Sequence, residues 1–273
     1  MAKRLLAVGG DRRCLFMAEE LSRKGYQVDT LGLKPEDEQT WQPAEADALL
    51  FPYPFAAKGG CVPAMTGLTI HPEDVLARVR PGIPVLAGKG LEGYVHGDWP
   101  LKRYMDDKVL NDINAALSAE AAVCEAMQRT ERSLMEMRML VTGYGRFGRS
   151  LAQKLKALGA QVWVAARREE QRTLASAEGM HAISIADMAN GIGEMEMILN
   201  TIPARILTET AIGKLKSEAW ILELASAPYC FDPEQARDLG LHFEVLPALP
   251  ARYAPASAGK ALAEAAVRML EEG

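Results

Sequence analysis

Three glycines near the middle of the chain have the spacing of a phosphate-binding turn. Gly143, Gly145 and Gly148 form a G-x-G-x-x-G string directly after the apolar run Met139–Val141. In such a turn the first glycine permits the tight bend, the second lets a phosphate approach the backbone, and the third lets the following helix pack closely on the strand. The N–H groups at the start of that helix then hold the phosphates. The pattern predicts a dinucleotide site, and the alternative is a glycine-rich turn that only packs.

The residues that end the next strand indicate which dinucleotide is bound. An NAD site usually has an acidic residue about 20 positions after the glycines, bonded to the ribose hydroxyl. This chain has Ala166, Arg167 and Arg168 there. Two guanidiniums can pair with a 2′-phosphate, and no carboxylate repels it. The sequence therefore favours NADP over NAD, unless the arginines are solvated and neutralised by Glu169 and Glu170.

Two further turns are expected to line the same cleft. In open α/β sheets the ligand lies beyond the carboxyl ends of the strands. Apolar runs end at Asn200–Pro203 and again at Ala225–Ala227, so both turns are placed at that edge. The alternative is that they only punctuate the chain. The predicted cofactor-binding residues are Gly143, Tyr144, Gly145, Arg146, Phe147, Gly148, Ala166, Arg167, Arg168, Asn200, Thr201, Ile202, Pro203, Leu224, Ala225 and Ser226.

Composition excludes several other classes of protein. A chain of 273 residues is long enough for two domains, and a net charge of -5 gives no basic surface for nucleic acid. No apolar run approaches the roughly 18 residues of a membrane span. The opening MAKRLLAVGG runs straight into a glycine turn, which favours a first strand over a signal peptide.

The cysteines and histidines show no metal-binding spacing. They are Cys14, Cys61, Cys124, Cys230, His71, His96, His181 and His242. The cysteines are scattered, with no C-x-x-C pair and no partnering histidine nearby. This argues against a zinc site or a disulfide framework and favours the reducing cytoplasm.

Strands alternating with helices on both sides of residue 107 predict two Rossmann-like parallel-sheet α/β domains joined by a long interdomain helix. We predict an N-terminal substrate or partner domain over residues 1–106 and an NADP-binding domain, with its linking helix, over residues 107–256. An alanine-rich helix over residues 257–273, with Ser257 as its N-cap, is expected to pack back on the first domain.

The combined motifs resemble the A-subunit family of the dipicolinate synthases of spore-forming bacteria. The matching segments are VGGDRR, DDKVLNDINAALSAEAA, VTGYGRFGRSLA, VAARR, NTIPA, LELASAP and LPARYAPASAG. The glycine turn alone is common to many dehydrogenases, whereas NTIPA, LELASAP and APASAG are more specific. The layout also resembles D-2-hydroxyacid dehydrogenases.

Three motifs depart from the family pattern, among other positions at Leu117, Ala121, Ala227 and Ala251. PTAEG is replaced by a string that begins at Leu117 and ends at Ala121, in which Ser118 keeps the hydroxyl. Ala227 stands where LASRPGG has an arginine, and Ala251 stands where LPG has a glycine. These changes leave the nucleotide motif intact and bear on the substrate contacts.

The resemblance implies oxidation of a dihydrodipicolinate to dipicolinate, pyridine-2,6-dicarboxylate, with NADP accepting the hydride. It also implies a second, flavoprotein-like dipicolinate synthase B-subunit, assembly into an oligomer, and a role in the cytoplasm of the mother cell during sporulation. Because forming an aromatic ring supplies driving force, the protein mainly has to position two carboxylates and remove a proton.

Cations and hydroxyls are suited to hold the two carboxylates. The candidate substrate-binding residues are Arg13, Asn114, Arg252, Ser257 and Lys260, and the candidate catalytic residues are Glu120, Ser118, Lys89 and His96. Each has a plainer alternative. The lysines and arginines can be solvated surface charges, and the residues of the long helix can form a polar face. Asp11, beside Arg13, can simply cap the first helix.

Two other functions stay open at this point. A D-2-hydroxyacid dehydrogenase needs a histidine with a carboxylate partner and an arginine that grips the substrate. No such histidine stands out, because His242 lies within a strand-like stretch. The second alternative is a nucleotide-binding scaffold, inactive by itself, that holds its partner subunit.

Overall fold

Short apolar segments form parallel strands throughout the chain, and helices connect them. The computed structural model describes residues 2–37, 45–53, 55, 59–95, 97 and 99–271. The strands are β1 Arg4–Val8, β2 Gln27–Leu31, β3 Ala48–Leu50, β4 Val85–Ala87, β5 Leu101–Arg103, β6 Arg138–Thr142, β7 Gln161–Ala166, β8 His181–Ser184, β9 Met197–Asn200, β10 Trp220–Glu223 and β11 His242–Val245. The helices are α1 Arg12–Arg23, α2 Pro72–Leu76, α3 Lys108–Met127, α4 Arg146–Ala157, α5 Glu169–Ala177, α6 Glu209–Ile212, α7 Pro233–Asp238, α8 Leu249–Tyr253 and α9 Pro255–Glu271.

The chain divides into two compact units. The first unit contains Met1–Asn114 and Pro250–Gly273, and the second contains Ala115–Leu249. The division falls inside α3, whereas the sequence places it just before that helix, at residues 106 and 107. Among the described residues, no helix combines the length and the apolar character that a bilayer crossing requires.

The first unit is built on a five-stranded sheet in the order β2-β1-β3-β4-β5, and all its neighbouring strands run parallel. This is one of the two common doubly wound orders, whose strand order reverses between β1 and β3. Strand β1 is buried along Leu5–Val8 because helices cover both faces of a parallel sheet. The short edge strand β5 has no counterpart in the sequence prediction.

The C-terminal helix α9 packs on α1 within the first unit. A Cβ atom on Gly259 would lie 2.5 Å from Phe16 Cβ and 2.6 Å from the carbonyl oxygen of Arg13, so the glycine permits the close approach. The helix begins at Pro255, whose fixed φ suits a first turn. Ser257 is therefore an exposed residue inside the helix, and its prediction as the N-cap is wrong.

The second unit is built on a six-stranded parallel sheet in the order β11-β10-β9-β6-β7-β8. Counted from β6, this is the doubly wound order 3-2-1-4-5-6 of dinucleotide-binding folds, and it reverses between β6 and β9. The prediction of two Rossmann-like parallel-sheet α/β domains is confirmed. The ligand edge of this sheet is where Thr142 and Asn200, the last residues of β6 and β9, lie side by side in register.

Candidate nucleotide-binding cleft

The three glycines of the turn after β6 have different surroundings. Gly143 has φ +88°, and a Cβ there would lie 2.7 Å from Thr201 Oγ1. A Cβ on Gly148 would lie 2.2 Å from the carbonyl oxygen of Gly143. A Cβ on Gly145 would meet no heavy atom within 4 Å. The outer glycines are thus required for packing, while Gly145 leaves open space in front of the backbone.

Helix α4 presents its N-terminus to that open space. Gly145 is its N-cap, and no side chain accepts a hydrogen bond from the first turn. The leading N–H groups of a helix have no intrahelical acceptor, and the helix dipole favours an anion beside them. The first turn of this twelve-residue helix can therefore hold a phosphate group.

A cavity of about 920 Å³ lies against this turn. The predicted residues that line it are Gly143, Tyr144, Gly145, Arg146, Phe147, Gly148, Arg167, Arg168, Thr201, Ile202 and Pro203. Residues that the sequence did not indicate also line it, namely Gln171, Ile185, Ala186, Ala204 and Ile206. Ile185 and Ala186 follow β8, so a search of every residue that succeeds a strand would have found them.

Five predicted cofactor residues are absent from the lining of this cavity: Ala166, Asn200, Leu224, Ala225 and Ser226. Ala166 and Asn200 are buried at the ends of β7 and β9, with at most 1% of their surface exposed. Each of the two is the last residue of its strand, whose side chain faces the interior. In both cases the cavity is lined by the residues that follow the strand, which are Arg167 after β7 and Thr201 after β9.

The arginine pair at the end of β7 is exposed. Within the described part of the chain, neither Arg167 nor Arg168 forms an ion pair or a side-chain hydrogen bond, and Glu169 and Glu170 do not neutralise them. The backbone of this connection is held by Arg172, whose Nη1 donates to the carbonyl oxygens of Ala166 and Arg167 at 3.0 and 2.7 Å. No sequence pattern indicated this role for Arg172.

The second residue of the glycine motif connects the turn to α5. The Tyr144 hydroxyl donates to Glu178, and Arg149 also donates to this carboxylate. Burial and the Glu178 carboxylate raise the pKa of Tyr144. The hydrogen bonds from Arg149 lower the pKa of Glu178. Gln171 Nε2 donates to the carbonyl oxygen of Tyr144 at 3.1 Å, which fixes the turn from the other side.

The glycine turn of the first unit is filled by protein. The N–H of Gly10 donates to the carbonyl oxygen of Pro63 at 2.5 Å, and a Cβ on Gly9 would lie 2.4 Å from the same oxygen. Asp11 caps α1 by accepting from the N–H of Arg13. A phosphate has no room at this turn, which agrees with the absence of a third glycine from the motif.

Arg13, the first candidate for the substrate carboxylates, is buried and already engaged. Its Nη2 lies 2.7 Å from Asp11 Oδ2, and its Nε donates to Asp11 Oδ1 at 3.0 Å. Only 5% of its surface is exposed. Its guanidinium fork therefore pairs with a carboxylate of the protein itself.

The other candidate substrate and catalytic residues differ in accessibility. Those with exposed surfaces are Lys89, Glu120, Arg252, Ser257 and Lys260. Glu120 lies 3.5 Å from the ammonium group of Lys154. Asn114 is half-buried and Ser118 is buried in α3. His96 lies outside the described residues.

The cysteines occupy two kinds of environment. Burial raises the pKa of Cys14 to about 11, and burial with the nearby Glu223 also raises the pKa of Cys230. Cys61 Sγ lies 3.8 Å from both ring nitrogens of His71, so the expectation that no cysteine has a histidine nearby is wrong. Within the described ranges, no group of three or more histidine, cysteine or acidic residues is arranged for a metal ion.

Two family models match successive parts of the chain. Residues 4–92 match the N-terminal domain of the dipicolinate synthase A-subunit. Residues 108–230 match the NAD-binding domain of D-isomer specific 2-hydroxyacid dehydrogenases. The second match covers the strand–turn–helix segment described above, so an NAD(P)-binding domain of the oxidoreductase type is present.

Individual relatives agree with these matches. The dipicolinate synthase A-subunit of Bacillus subtilis is 30% identical over 159 residues, which is 58% of this chain and 54% of the relative. The alignment thus spans about half the length of this curated relative. A crystal structure of the dipicolinate synthase A-subunit from Bacillus halodurans has a TM-score of 0.89 and 26% identity, covering 99% of this chain and 98% of that one.

The crystal structure of the B. subtilis protein has a TM-score of 0.88 at 23% identity, covers 100% of this chain and 97% of that one, and shows the shared fold. The resemblance of this chain to the dipicolinate synthase A-subunit, and more distantly to D-2-hydroxyacid dehydrogenases, is therefore confirmed.

Proposed function

We propose that the chain is the NADP-dependent oxidoreductase subunit of a dipicolinate synthase and oxidises a dihydrodipicolinate to dipicolinate. In this proposal it acts with a flavoprotein-like second subunit in the cytoplasm of the mother cell of a sporulating bacterium. One observation carries the cofactor assignment. The cavity at the glycine turn is lined by Arg167 and Arg168, which have no carboxylate partner among the described residues.

The residues of the cleft fit NADP in charge and in space. The open space before Gly145 and the uncapped first turn of α4 would hold the pyrophosphate. Arg167 and Arg168 would pair with the 2′-phosphate, to which a guanidinium can donate two parallel hydrogen bonds. When bound, NADP supplies the hydride acceptor, and the protein supplies position and charge.

The substrate requires cations for two carboxylates and an acceptor for one ring proton. We assign the carboxylates to the exposed candidates Lys89, Arg252 and Lys260 rather than to Arg13, because Asp11 occupies its guanidinium. Glu120 is exposed and is the proposed proton acceptor. Its carboxylate lies 3.5 Å from the ammonium group of Lys154.

The D-2-hydroxyacid dehydrogenase alternative has less support. His181 and His242 begin the edge strands β8 and β11, at the end of the sheet opposite the cleft. Each ring stacks on a tryptophan, Trp163 at 4.7 Å and Trp220 at 5.1 Å between centroids. Neither His181 nor His242 is therefore placed to act on a substrate at the glycine turn.

Calorimetric titration of the purified chain with NADP, and separately with NAD, tests the cofactor assignment. We expect tight binding of NADP and weak binding of NAD. Oxidation of dihydrodipicolinate would then be assayed with the partner subunit present. If neither dinucleotide binds, the scaffold function replaces this proposal, and copurification of the two subunits with and without NADP tests it in turn.

A further inference from the structure

A row of buried polar side chains lies directly beneath the cleft. Thr142, Asn200 and Glu223 end the neighbouring strands β6, β9 and β10 and pair with one another in register. All three are fully buried. Burying a carboxylate and an amide costs free energy unless their polar atoms form hydrogen bonds. The partners of these three side chains therefore indicate what the buried row does.

The side chain of Asn200 forms two hydrogen bonds with the backbone of Ile202, a residue that lines the cleft. Its Oδ1 accepts from the N–H of Ile202 at 3.1 Å, and its Nδ2 donates to the carbonyl oxygen of Ile202 at 2.8 Å. Its Oδ1 also accepts from Thr142 Oγ1. Ile202 in turn packs against Gly143, where a Cβ would lie 2.9 Å from Ile202 Cγ1. The amide thus fixes Ile202 beside the glycine turn.

Glu223 holds this amide in place. Its Oε1 accepts from Asn200 Nδ2 at 2.6 Å and from the N–H of Ala225 at 3.0 Å, and its Oε2 accepts from the N–H of Cys230 at 2.7 Å. Three N–H donors converge on one carboxylate, which makes these bonds charge-assisted. Glu223 therefore couples the turn after β10 to the turn after β9.

We propose that Glu223 is a positioning residue for the nicotinamide half of the dinucleotide and acts through Asn200 and Ile202. The inference rests on the proposed NADP site. In a doubly wound fold the dinucleotide lies across the point where the strand order reverses, with its pyrophosphate at the glycine turn. The 2′-phosphate at Arg167 places the adenosine half on the β7 side. The nicotinamide half then lies on the β9 side, against Ile202.

The contributions of the two halves of the ligand to binding can be measured separately. The adenosine half meets Arg167, Arg168 and Ile185, and none of them bonds to Glu223. Loss of Glu223 therefore disturbs Ile202 but leaves the arginine end of the cleft in place. A residue needed only for folding would affect both halves alike.

The test is calorimetric titration of wild type, Glu223→Ala and Glu223→Gln with NADP and with adenosine 2′,5′-bisphosphate, which lacks the nicotinamide half. For Glu223→Ala we expect NADP affinity to fall by about tenfold, the equivalent of one charge-assisted hydrogen bond, and bisphosphate affinity to stay within about twofold. Glu223→Gln keeps the size but turns an amide NH₂ toward at least one of the three donors. It should show a smaller loss in the same direction, and it also serves if the alanine variant does not fold.

Glu194→Gln is the matched control. Glu194 is an exposed carboxylate of the same unit that pairs with Arg138 at 2.8 Å, and its loss should change neither affinity. Equal losses for both ligands in the Glu223 variants, or no loss for either, would overturn the positioning role while leaving the NADP site intact. Failure of the wild type to bind either ligand would overturn the NADP site and this inference together.

Discussion

At the scale of single residues, one sequence motif contains glycines that are needed for different reasons. A methyl group on Gly148 would lie 2.2 Å from the carbonyl oxygen of Gly143, whereas a methyl group on Gly145 would meet nothing within 4 Å. Gly145 has φ -82°, which an alanine adopts without strain. Packing within the fold therefore does not require a glycine here, and the open space in front of Gly145 is where the proposed dinucleotide would approach the backbone.

The substitutions Gly145→Ala and Gly148→Ala should separate these two reasons. We expect Gly145→Ala to lose less stability than Gly148→Ala, since only the preference of an N-cap for glycine over alanine is lost. It should lose dinucleotide affinity, because its Cβ would occupy the open space in front of the turn. Gly148→Ala should lower the free energy of unfolding by about 1–3 kcal/mol through overpacking. Thermal melting and calorimetric titration of both variants make the comparison. A large loss of stability in Gly145→Ala would contradict the assignment.

The exposed arginines make a second prediction at this scale. Arg167→Asp should weaken NADP binding by roughly a hundredfold, because it removes charge-assisted hydrogen bonds and adds a repelling carboxylate. NAD has no 2′-phosphate, so its affinity should change by only about threefold, within the variation of a surface substitution. Parallel titrations with the two dinucleotides supply the measurement and the control. Equal losses for both would remove Arg167 from the 2′-phosphate site.

At the scale of elements, the connection between β7 and α5 depends on an arginine outside the motif. Arg172 lies on the first turns of α5 and donates to the carbonyl oxygens of Ala166 and Arg167. The sequence pattern located the strand end and the arginine pair. It did not locate the hydrogen bonds of Arg172, because a bond from a side chain to a backbone carbonyl produces no periodic pattern in the sequence.

Arg172→Ala should therefore reduce the preference for NADP without abolishing dinucleotide binding. With the two carbonyl bonds gone, the loop that carries Arg167 samples more conformations, and ordering it on binding costs about 1 kcal/mol or more. We expect NADP affinity to fall by about fivefold and NAD affinity to change less. Arg172→Lys, which keeps the charge but not the planar fork, should behave like the alanine variant. Recovery of wild-type affinity in the lysine variant would point to charge rather than geometry.

At the scale of the whole molecule, each unit contains a carboxyl group whose pKa is lowered by an arginine partner. These two groups predict how the free energy of unfolding depends on pH. In the second unit, the hydrogen bonds from Arg149 lower the pKa of Glu178. In the first unit, burial acts to raise the pKa of Asp107, but the bonds from Arg268 and nearby backbone N–H groups outweigh it and the pKa is lowered.

A carboxyl group with a lowered folded-state pKa contributes stability above its unfolded pKa, and this contribution is lost as the pH falls through the folded value. We expect the unfolding free energy to decline below about pH 4.5, where unfolded carboxylates begin to bind protons. Urea unfolding at pH 7 and at pH values down to about 3 measures this decline.

Glu178→Gln should be less stable than wild type at neutral pH and should lose less stability in acid. Glu218→Gln is the control, since Glu218 is exposed in a turn and its side chain has no hydrogen bond or ion pair among the described residues, and it should follow the wild type at every pH. If the wild type and Glu178→Gln lost stability in parallel, the pH dependence would have to be assigned to other groups.

The sequence by itself determined the order of elements and identified the second domain as one that binds a dinucleotide. The apolar runs, the glycine spacing and the arginines after the second strand are local patterns, and local backbone preferences are enough to specify a strand, a tight turn and a helix. The predicted boundaries of the longer strands and helices are therefore close to those observed. The three-residue strand β5 was missed, because so short a segment has no apolar run of its own.

Only the tertiary structure decided which polar residues face a ligand and which support the backbone. Asn200 reaches Thr142, which is 58 residues away, and Glu223, which is 23 residues away. Pro63 fills the first glycine turn, which lies more than 50 residues before it in the chain. A hydrogen-bond partner that is distant in the chain is fixed by how strands stack and helices pack. The sequence therefore located most of the residues that line the cleft, and the fold assigned the polar residues around it their roles.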